Sequence, residues 1–596
     1  MSKRIRNLFY IFSILSFMVS VFFLCIRFNE TITSYILSII SKFRSDIGIE
    51  KIYKLYSFIE CNIVFFAIYG FSFLLLTKLN FSPLNDNKFK FFYSFNSLIQ
   101  NKFNLVLILL FIILSVIRFY WITQKQSFHM DELYGISIFH YNEYGLWSGK
   151  NFEKFTPFTG KQIRDLILFD DGSIKDTVKD LLHLWIYNRD TAYNNLFLVL
   201  SRIWYTGFQT SDFVSIFWRS SLLNYIFFAF SFYFMILLLK EITNNKVSII
   251  LTLIIAFLNT ASIGISVFMR SYALQETLLI LFTYLFVQYL KFISFGKDIN
   301  TLSNFLKTTA ILFLLINCDY FSLLYIVVLG CILITYLIIK KEYKLLYSLI
   351  CSLLSALIIS KIFYLNFGIG FFADRGAEAL STFSSIGQRF IIAIKESNNL
   401  INKNLISFII ILLFLIFNII SCILTKSIKS QTIKIAIFFG ALLWCILVMI
   451  ISPYYTLRYI APIFPLISIG FVFNNFSKKS LNIIFSVLTL CVMILISKNA
   501  FPSKLNNSKI EHLNDTDGRI FSAEFINDPT SNVYIDRSSL YTEILPYLND
   551  SQIYYFVDSL EELKSYNLQD DTYYYVKYED DSPHDFTVIK FNRDKK

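Results

Sequence analysis

Charge is scarce in this chain. Of 596 residues, 16% are Asp, Glu, Lys or Arg and 55% are hydrophobic, with a mean hydropathy of +0.56. A soluble domain carries about 25% charged residues. No soluble core could hide this much apolar surface. Disorder, collagen-like repetition and a secreted disulfide scaffold are excluded too. The nucleotide-binding loops GxxxxGK[ST] and GxGxxG do not occur, which argues against an ATP-driven pump, and neither does the GxSxG of a nucleophile elbow. Metal-ligand spacing is also lacking. The eight cysteines (Cys25, Cys61, Cys318, Cys331, Cys351, Cys422, Cys445 and Cys491) form no CxxC or Cys/His cluster, and the five histidines show no ligand pattern. The cysteines read as buried small hydrophobes rather than zinc or iron–sulfur ligands. From Lys498 onward there is no cysteine, so no disulfide holds the tail.

Apolar runs are what the chain does have. A spanning helix needs about 20 mostly apolar residues. Thirteen candidates fit, at 8–28, 59–78, 103–122, 219–239, 246–267, 272–290, 304–317, 320–339, 345–365, 405–424, 434–452, 460–476 and 480–497. The first run ends Cys25-Ile-Arg-Phe28, a poor cleavage site, so an uncleaved membrane helix is expected. Abundant Phe (66) and Tyr (37) suit lipid-facing and interfacial positions.

The net charge of +12 conceals an asymmetry. Residues 498–596 hold 18 acidic and 11 basic residues, net −7, and the remainder holds 24 and 43, net +19. The excess follows topology, not a nucleic-acid partner. With the N-terminus inside, the short cytoplasmic connections 240–246, 291–303, 340–344, 425–434 and 477–479 carry twelve Lys/Arg. The short outside connections 268–271, 318–319 and 453–459 carry only Arg270 and Arg458. The positive-inside rule then places the N-terminus in the cytoplasm and the tail outside. Segment 29–58, with Lys42, Arg44, Lys51 and Lys54, fits less well.

Two long outside loops are expected, 123–195 and 366–404. In the first, Asp180–Tyr187 resembles a short helix lying on the membrane surface. A loop of such length in a compact protein is usually functional. The tail alternates like strands at 532–536, 552–557 and 572–578, with helix-like stretches at 539–547 and 560–566, and reads as a small α/β domain.

Three groups can carry chemistry. Asp131-Glu132 lies in Ser127-Phe-His-Met-Asp-Glu-Leu-Tyr134, just past a membrane exit. Paired carboxylates suit general-base work or a divalent cation, Mg2+ or Mn2+. Arg270 (Phe268-Met-Arg-Ser-Tyr272) and Arg458 (Tyr455-Thr-Leu-Arg-Tyr459) oppose the charge bias on the same side. A guanidinium fork suits phosphate. Pro462 and Pro465 are expected to kink or unwind the following helix. Asp319 and Asp190 are weaker signals.

Together these residues resemble GT-C-fold glycosyltransferases of the protein-mannosyltransferase-like kind (glycosyltransferase family 39), relatives of the aminoarabinose lipid A transferases. The likeness covers roughly 103–596. It rests on Asp131-Glu132 opening the first outside loop, on Arg270-Ser-Tyr272, and on Arg458-Tyr-Ile-Ala-Pro-Ile-Phe-Pro465. Residues 1–102 add two helices before the shared module of 103–497. Asn188-Arg-Asp-Thr-Ala-Tyr193 stands where such enzymes carry a Pro-Pro-Leu-Tyr-like motif.

The resemblance implies a polytopic helical enzyme in a bacterial inner (plasma) membrane. A polyprenyl-phosphate-linked sugar would be the donor and a lipid, glycan or protein hydroxyl the acceptor. Asp131 would act as general base, with Glu132 positioning that base, the acceptor or a metal. Arg270 and Arg458 would hold the phosphate, and Tyr134, Asp190, Tyr272 and Tyr459 would line the substrate. The alternative is a transporter or flippase for lipid-linked glycans, which would place ionisable groups mid-helix and repeat its halves. The helix interiors here are nearly free of charge and no repeat is evident.

Overall fold

The computed structural model describes residues 10–11, 13–21, 67, 70, 102–140, 152–167, 172–186, 195–208, 213–294, 302–368, 387–392, 428–452, 456–473, 479–511, 513, 531–537, 545, 548–565, 572–578 and 586–592. The expected spans 59–78 and 405–424 lie almost wholly outside these residues, as do Asp190, Tyr193, most of loop 366–404 and the helix-like stretch 539–547.

The described body is helical because its sequence is apolar over whole turns, and only a helix satisfies its own backbone inside lipid. It begins with α1 (Lys102–Gln124), α2 (Met130–Phe139), α3 (Gly160–Ile167), α4 (Ile174–Ile186) and α5 (Asn195–Trp204). There follow α6 (Phe213–Ile242), α7 (Lys246–Phe257), α8 (Thr260–Val267), α9 (Tyr272–Ser294), α10 (Leu302–Cys318), α11 (Phe321–Ile339), α12 (Tyr343–Phe363) and α13 (Ile428–Ile451). Among the described residues seven helices are long and apolar enough to cross a membrane, or eight if the bent pair α7/α8 is one span. The chain is therefore a polytopic membrane protein. The expected 304–317 span is the 17-residue α10, shorter than the seven helices long enough to cross. Within the bundle α6 packs along α9, α10 on α12, and α11 on α13.

Two interruptions shape the site. The expected span 246–267 is broken, with α7 and α8 meeting at 54°. Asn259 makes the break tolerable: its Oδ1 accepts from Ser262 N–H at 2.9 Å, and its Nδ2 donates to the Ile255 and Ala256 carbonyls at 3.0 and 2.8 Å. One side chain thus serves both the orphan carbonyls of α7 and an orphan donor of α8. The second interruption is the proline segment. α14 (Leu457–Ile460) and α15 (Phe464–Ile467) alternate with 3-10 turns at Ala461–Ile463 and Ser468–Phe471, the local unwinding expected where proline removes a backbone donor. α16 (Lys479–Ser497) completes the described spans.

Beyond the bundle lies one five-stranded sheet, ordered β1-β3-β2-β4-β5. Its strands are β1 (Phe158–Thr159), β2 (Asn532–Asp536), β3 (Ile553–Val557), β4 (Thr572–Tyr578) and β5 (Phe586–Asn592), with α17 (Leu560–Ser565) packed on one face. β2, β3 and β4 fall on the stretches expected as strands, though β2 is buried on both faces from Val533 to Asp536; β5 adds an antiparallel edge. β1 comes from the first loop and pairs antiparallel with β3, so loop and tail share one sheet. Phe152 stacks on Phe556 at 4.3 Å, Arg164 donates to the Leu548 carbonyl and pairs with Asp550, and Lys154 pairs with Glu562 at 2.9 Å. Gly160 is required there, because a Cβ would overlap the Asn549 carbonyl and stand 2.9 Å from Leu548 Cβ. Trp121 of α1 donates to the Ala500 carbonyl at 2.8 Å, which fastens the tail to the bundle as well.

Candidate active site

The site grows from the turn between α1 and α2. His129 caps α2 with extended backbone, φ −78° and ψ 149°. Its Nδ1 accepts from Asp131 N–H at 3.1 Å, while Glu132 Oε2 reaches back to His129 N–H at 2.9 Å. Such a reciprocal cap fixes the first turn of a helix, and here that turn carries both carboxylates.

The two carboxylates diverge from there. Glu132 is fully buried. Its Oε1 takes a 2.5 Å ion pair from Lys125 and a 2.7 Å hydrogen bond from Met269 N–H. Lys125 also donates to the Val267 carbonyl at 2.6 Å. Glu132 thus ties α2 to the α8–α9 junction. Asp131 keeps 18% of its side chain exposed, and its Oδ2 lies 3.0 Å from Arg458 Nη2. Arg270 Nη1 donates to the Asp131 carbonyl oxygen at 2.9 Å. Each carboxylate therefore already faces a cation of the chain, and the pair as arranged does not fit a shared divalent ion. Among the described residues no three His, Cys, Asp or Glu side chains converge as metal ligands.

Aromatic rings wall Arg458. Arg458 lies over Phe268 and Tyr459, 5.4 and 5.5 Å from their centroids, and Tyr272 stacks on Phe268 at 5.9 Å. Rings over a guanidinium hold it in plane while leaving its donors available. A narrow depression beside Arg458 is lined by Thr260, Gly264, Phe268, Leu457, Ala461 and Glu511 among others. Glu511 is a tail residue, so the tail contributes a wall.

The structure brings Asp131, Glu132, Arg270, Arg458, Tyr272 and Tyr459 to one end of the bundle. Tyr134 lies one turn further along α2, half-buried against the core. Asp319, between α10 and α11, joins the group through its field at Arg270. Burial raises its carboxyl to about 6, against the lowering pull of the Phe321 N–H and of Arg270.

Sequence reasoning missed Lys125 and the charges beneath the site. Arg118 in α1 is 1% exposed. It donates to Ser266 Oγ (3.2 Å), the Phe257 carbonyl (3.0 Å) and Ser262 Oγ (2.9 Å), clamping both sides of the α7/α8 break. Ser262 in turn donates to Glu276 of α9 at 3.4 Å. The signal was present, since Arg118 and Glu276 are the only charges in runs 103–122 and 272–290. A lone ionisable residue in an apolar run marks a paired interior position. Comparison with protein-family models, curated proteins and solved structures found no match to the chain.

Proposed function

We propose that this protein is a membrane glycosyltransferase of GT-C fold. It moves a sugar from a polyprenyl-phosphate donor to an acceptor hydroxyl at the extracytoplasmic face, with inversion. The observation that carries this reading is the convergence of Asp131, Arg270 and Arg458 at one end of the helical bundle, with Asp131 partly exposed and 3.0 Å from Arg458.

The ion pair gives the reaction its order. A carboxylate held by a guanidinium is a poor base, because the cation favours its ionised form. A lipid phosphate arriving at Arg270 and Arg458 competes for that fork and releases Asp131. Asp131 then takes the acceptor hydroxyl proton as the oxygen attacks the anomeric carbon opposite the phosphate. The anomeric C–O bond to phosphate breaks, and the lipid phosphate leaves as an anion stabilised by both arginines. Glu132, engaged by Lys125, Met269 N–H and His129 N–H, keeps the Arg270 junction in register with Asp131. The buried charges Arg118 and Glu276 lie toward the site ends of α1 and α9 and serve that junction.

The test is deletion of the gene followed by mass spectrometry of surface glycans and lipids, with complementation by wild type or Asp131→Asn. Loss of one sugar from one acceptor, restored by wild type only, is expected. An unchanged envelope, or full rescue by Asp131→Asn, overturns the reading. A flippase would instead leave the lipid-linked donor itself confined to the inner leaflet.

A further inference from the structure

The tail reaches the site by a short arm that follows α16. Trp121 of α1 holds the Ala500 carbonyl, and Asn506 Nδ2 donates to the Lys498 and Phe501 carbonyls at 3.1 and 3.0 Å. Further along, Gln126 N–H donates to the Leu513 carbonyl at 2.8 Å, three residues before His129. Ile510 and Leu513 are 4% and 1% exposed and belong to the same core as the helices. Glu511 lies between these two buried residues, so its backbone is pinned from both sides. Gly264 of α8 lets the arm lie close. A Cβ there would stand 4.0 Å from the Glu511 N and O atoms, and a longer side chain would push against them.

Glu511 thereby enters the wall of the depression beside Arg458. It is half-buried there. Most of the wall is apolar, built by Ala261, Ile265, Phe268, Leu457 and Ala461. An apolar wall with a few convergent polar groups is the usual make-up of a small-molecule site. An ionised carboxylate has acceptor oxygens only. It repels a phosphate and accepts strongly from hydroxyls. An acid beside an arginine that takes phosphate therefore weakens the site, unless it takes another part of the same ligand. In the reaction proposed above, the group joined to that phosphate is a sugar. The acceptor belongs to Asp131, which does not line this depression.

We propose, on the glycosyltransferase reading, that Glu511 is a specificity-determining residue for the donor sugar. Its two oxygens accept hydrogen bonds from hydroxyls of the sugar whose phosphate lies on Arg458. The tail then completes the donor site: the bundle holds the phosphate and the arm reads the sugar.

Native mass spectrometry of the full chain in detergent tests this. The probes are undecaprenyl phosphate alone and undecaprenyl phosphate carrying each of a panel of hexoses, pentoses and amino sugars. Wild type is expected to bind at least one glycosylated lipid about tenfold to a hundredfold more tightly than the bare lipid. Glu511→Ala is expected to lose that preference and Glu511→Gln to keep part of it. Both are expected to bind the bare lipid at least as tightly as wild type, because a charge that repels phosphate is gone. An unchanged preference in Glu511→Ala, or no preference in wild type, overturns the proposal. So does an equal loss of bare and glycosylated lipid, which would mean that Glu511 shapes the phosphate site. Elution of each variant as wild type confirms the fold. Arg458→Lys separates this inference from the reading beneath it. Bare-lipid binding that ignores Arg458→Lys overturns the glycosyltransferase reading. Bare-lipid binding weakened by Arg458→Lys, with sugar preference intact in Glu511→Ala, overturns the role of Glu511 alone.

Discussion

Two arginine–carboxylate clusters occupy the same end of the molecule. Beside the first loop, Arg202 of α5 sits between Asp176 and Asp180 of α4, and the three side chains are 0%, 9% and 0% exposed. Between the helices, Arg458 meets Asp131 with 11% and 18% exposed. The groups and distances are alike; the surroundings differ. The sealed cluster can only hold α4 on α5. In the proposed reaction the open one exchanges its partner for the incoming lipid phosphate. A buried ion pair is therefore no sign of chemistry in itself, and access distinguishes the two uses.

Asparagine at each cluster separates them most widely. Asp131→Asn is expected to lower sugar transfer by about 10²- to 10⁴-fold, as for loss of a general base, and to leave thermal unfolding in detergent nearly unchanged. Asp180→Asn is expected to do the opposite, lowering the unfolding temperature while the folded fraction keeps its turnover. If both variants lose activity and stability together, the clusters do not differ in kind.

Arg202→Ala probes the sealed cluster alone. It leaves Asp176 and Asp180 without their shared cation, and the expected loss is about 3–5 kcal/mol of stability. Denaturant unfolding followed by fluorescence checks it. A loss under about 1 kcal/mol, typical of exposed pairs, would show that water reaches the loop interior.

Lysine at Arg270 or Arg458 keeps the charge and removes the fork. Charge-assisted hydrogen bonds are worth about 1.5–3 kcal/mol, so apparent donor affinity is expected to weaken by roughly tenfold to a hundredfold, with a smaller change for the acceptor. Unchanged donor affinity in both variants would make these arginines interfacial anchors.

The sequence made one cluster legible and hid the other. Arg270 and Arg458 stood out because each is the lone cation in a short connection on the sparsely basic side. Asp131-Glu132 stood out by adjacency. The different fates of those two acids were invisible, since Lys125 and Met269 reach Glu132 only after folding. β1 was invisible too. Phe158–Thr159 has no strand pattern of its own and is extended because β3 supplies its partner. The break at Asn259 carried a local signal, a capping residue inside an apolar run, but hydropathy averages across it. α4 read as surface-lying from composition, while the burial of Asp176 and Asp180 required Arg202 from another helix.

The smallest effect concerns Asp319, which stands between the two cases, buried but electrostatically joined to Arg270. Its carboxyl is raised from 3.8 to about 6, chiefly by burial. An acid whose folded value is raised binds its proton more tightly in the folded state. Its contribution to stability is thus complete below about pH 4 and is lost as pH rises toward 6. Asp319→Asn keeps a neutral group of the same size and removes that slope. The unfolding temperatures of variant and wild type are expected to agree at the acid end of this window and to separate above it, the variant being higher. Ionised Asp319 also competes with a phosphate for Arg270. Donor affinity in wild type is therefore expected to weaken as pH rises through about 6, and to respond less in Asp319→Asn. Identical pH profiles would mean that Asp319 acts on the α10–α11 turn alone, and the open cluster would end at Arg270.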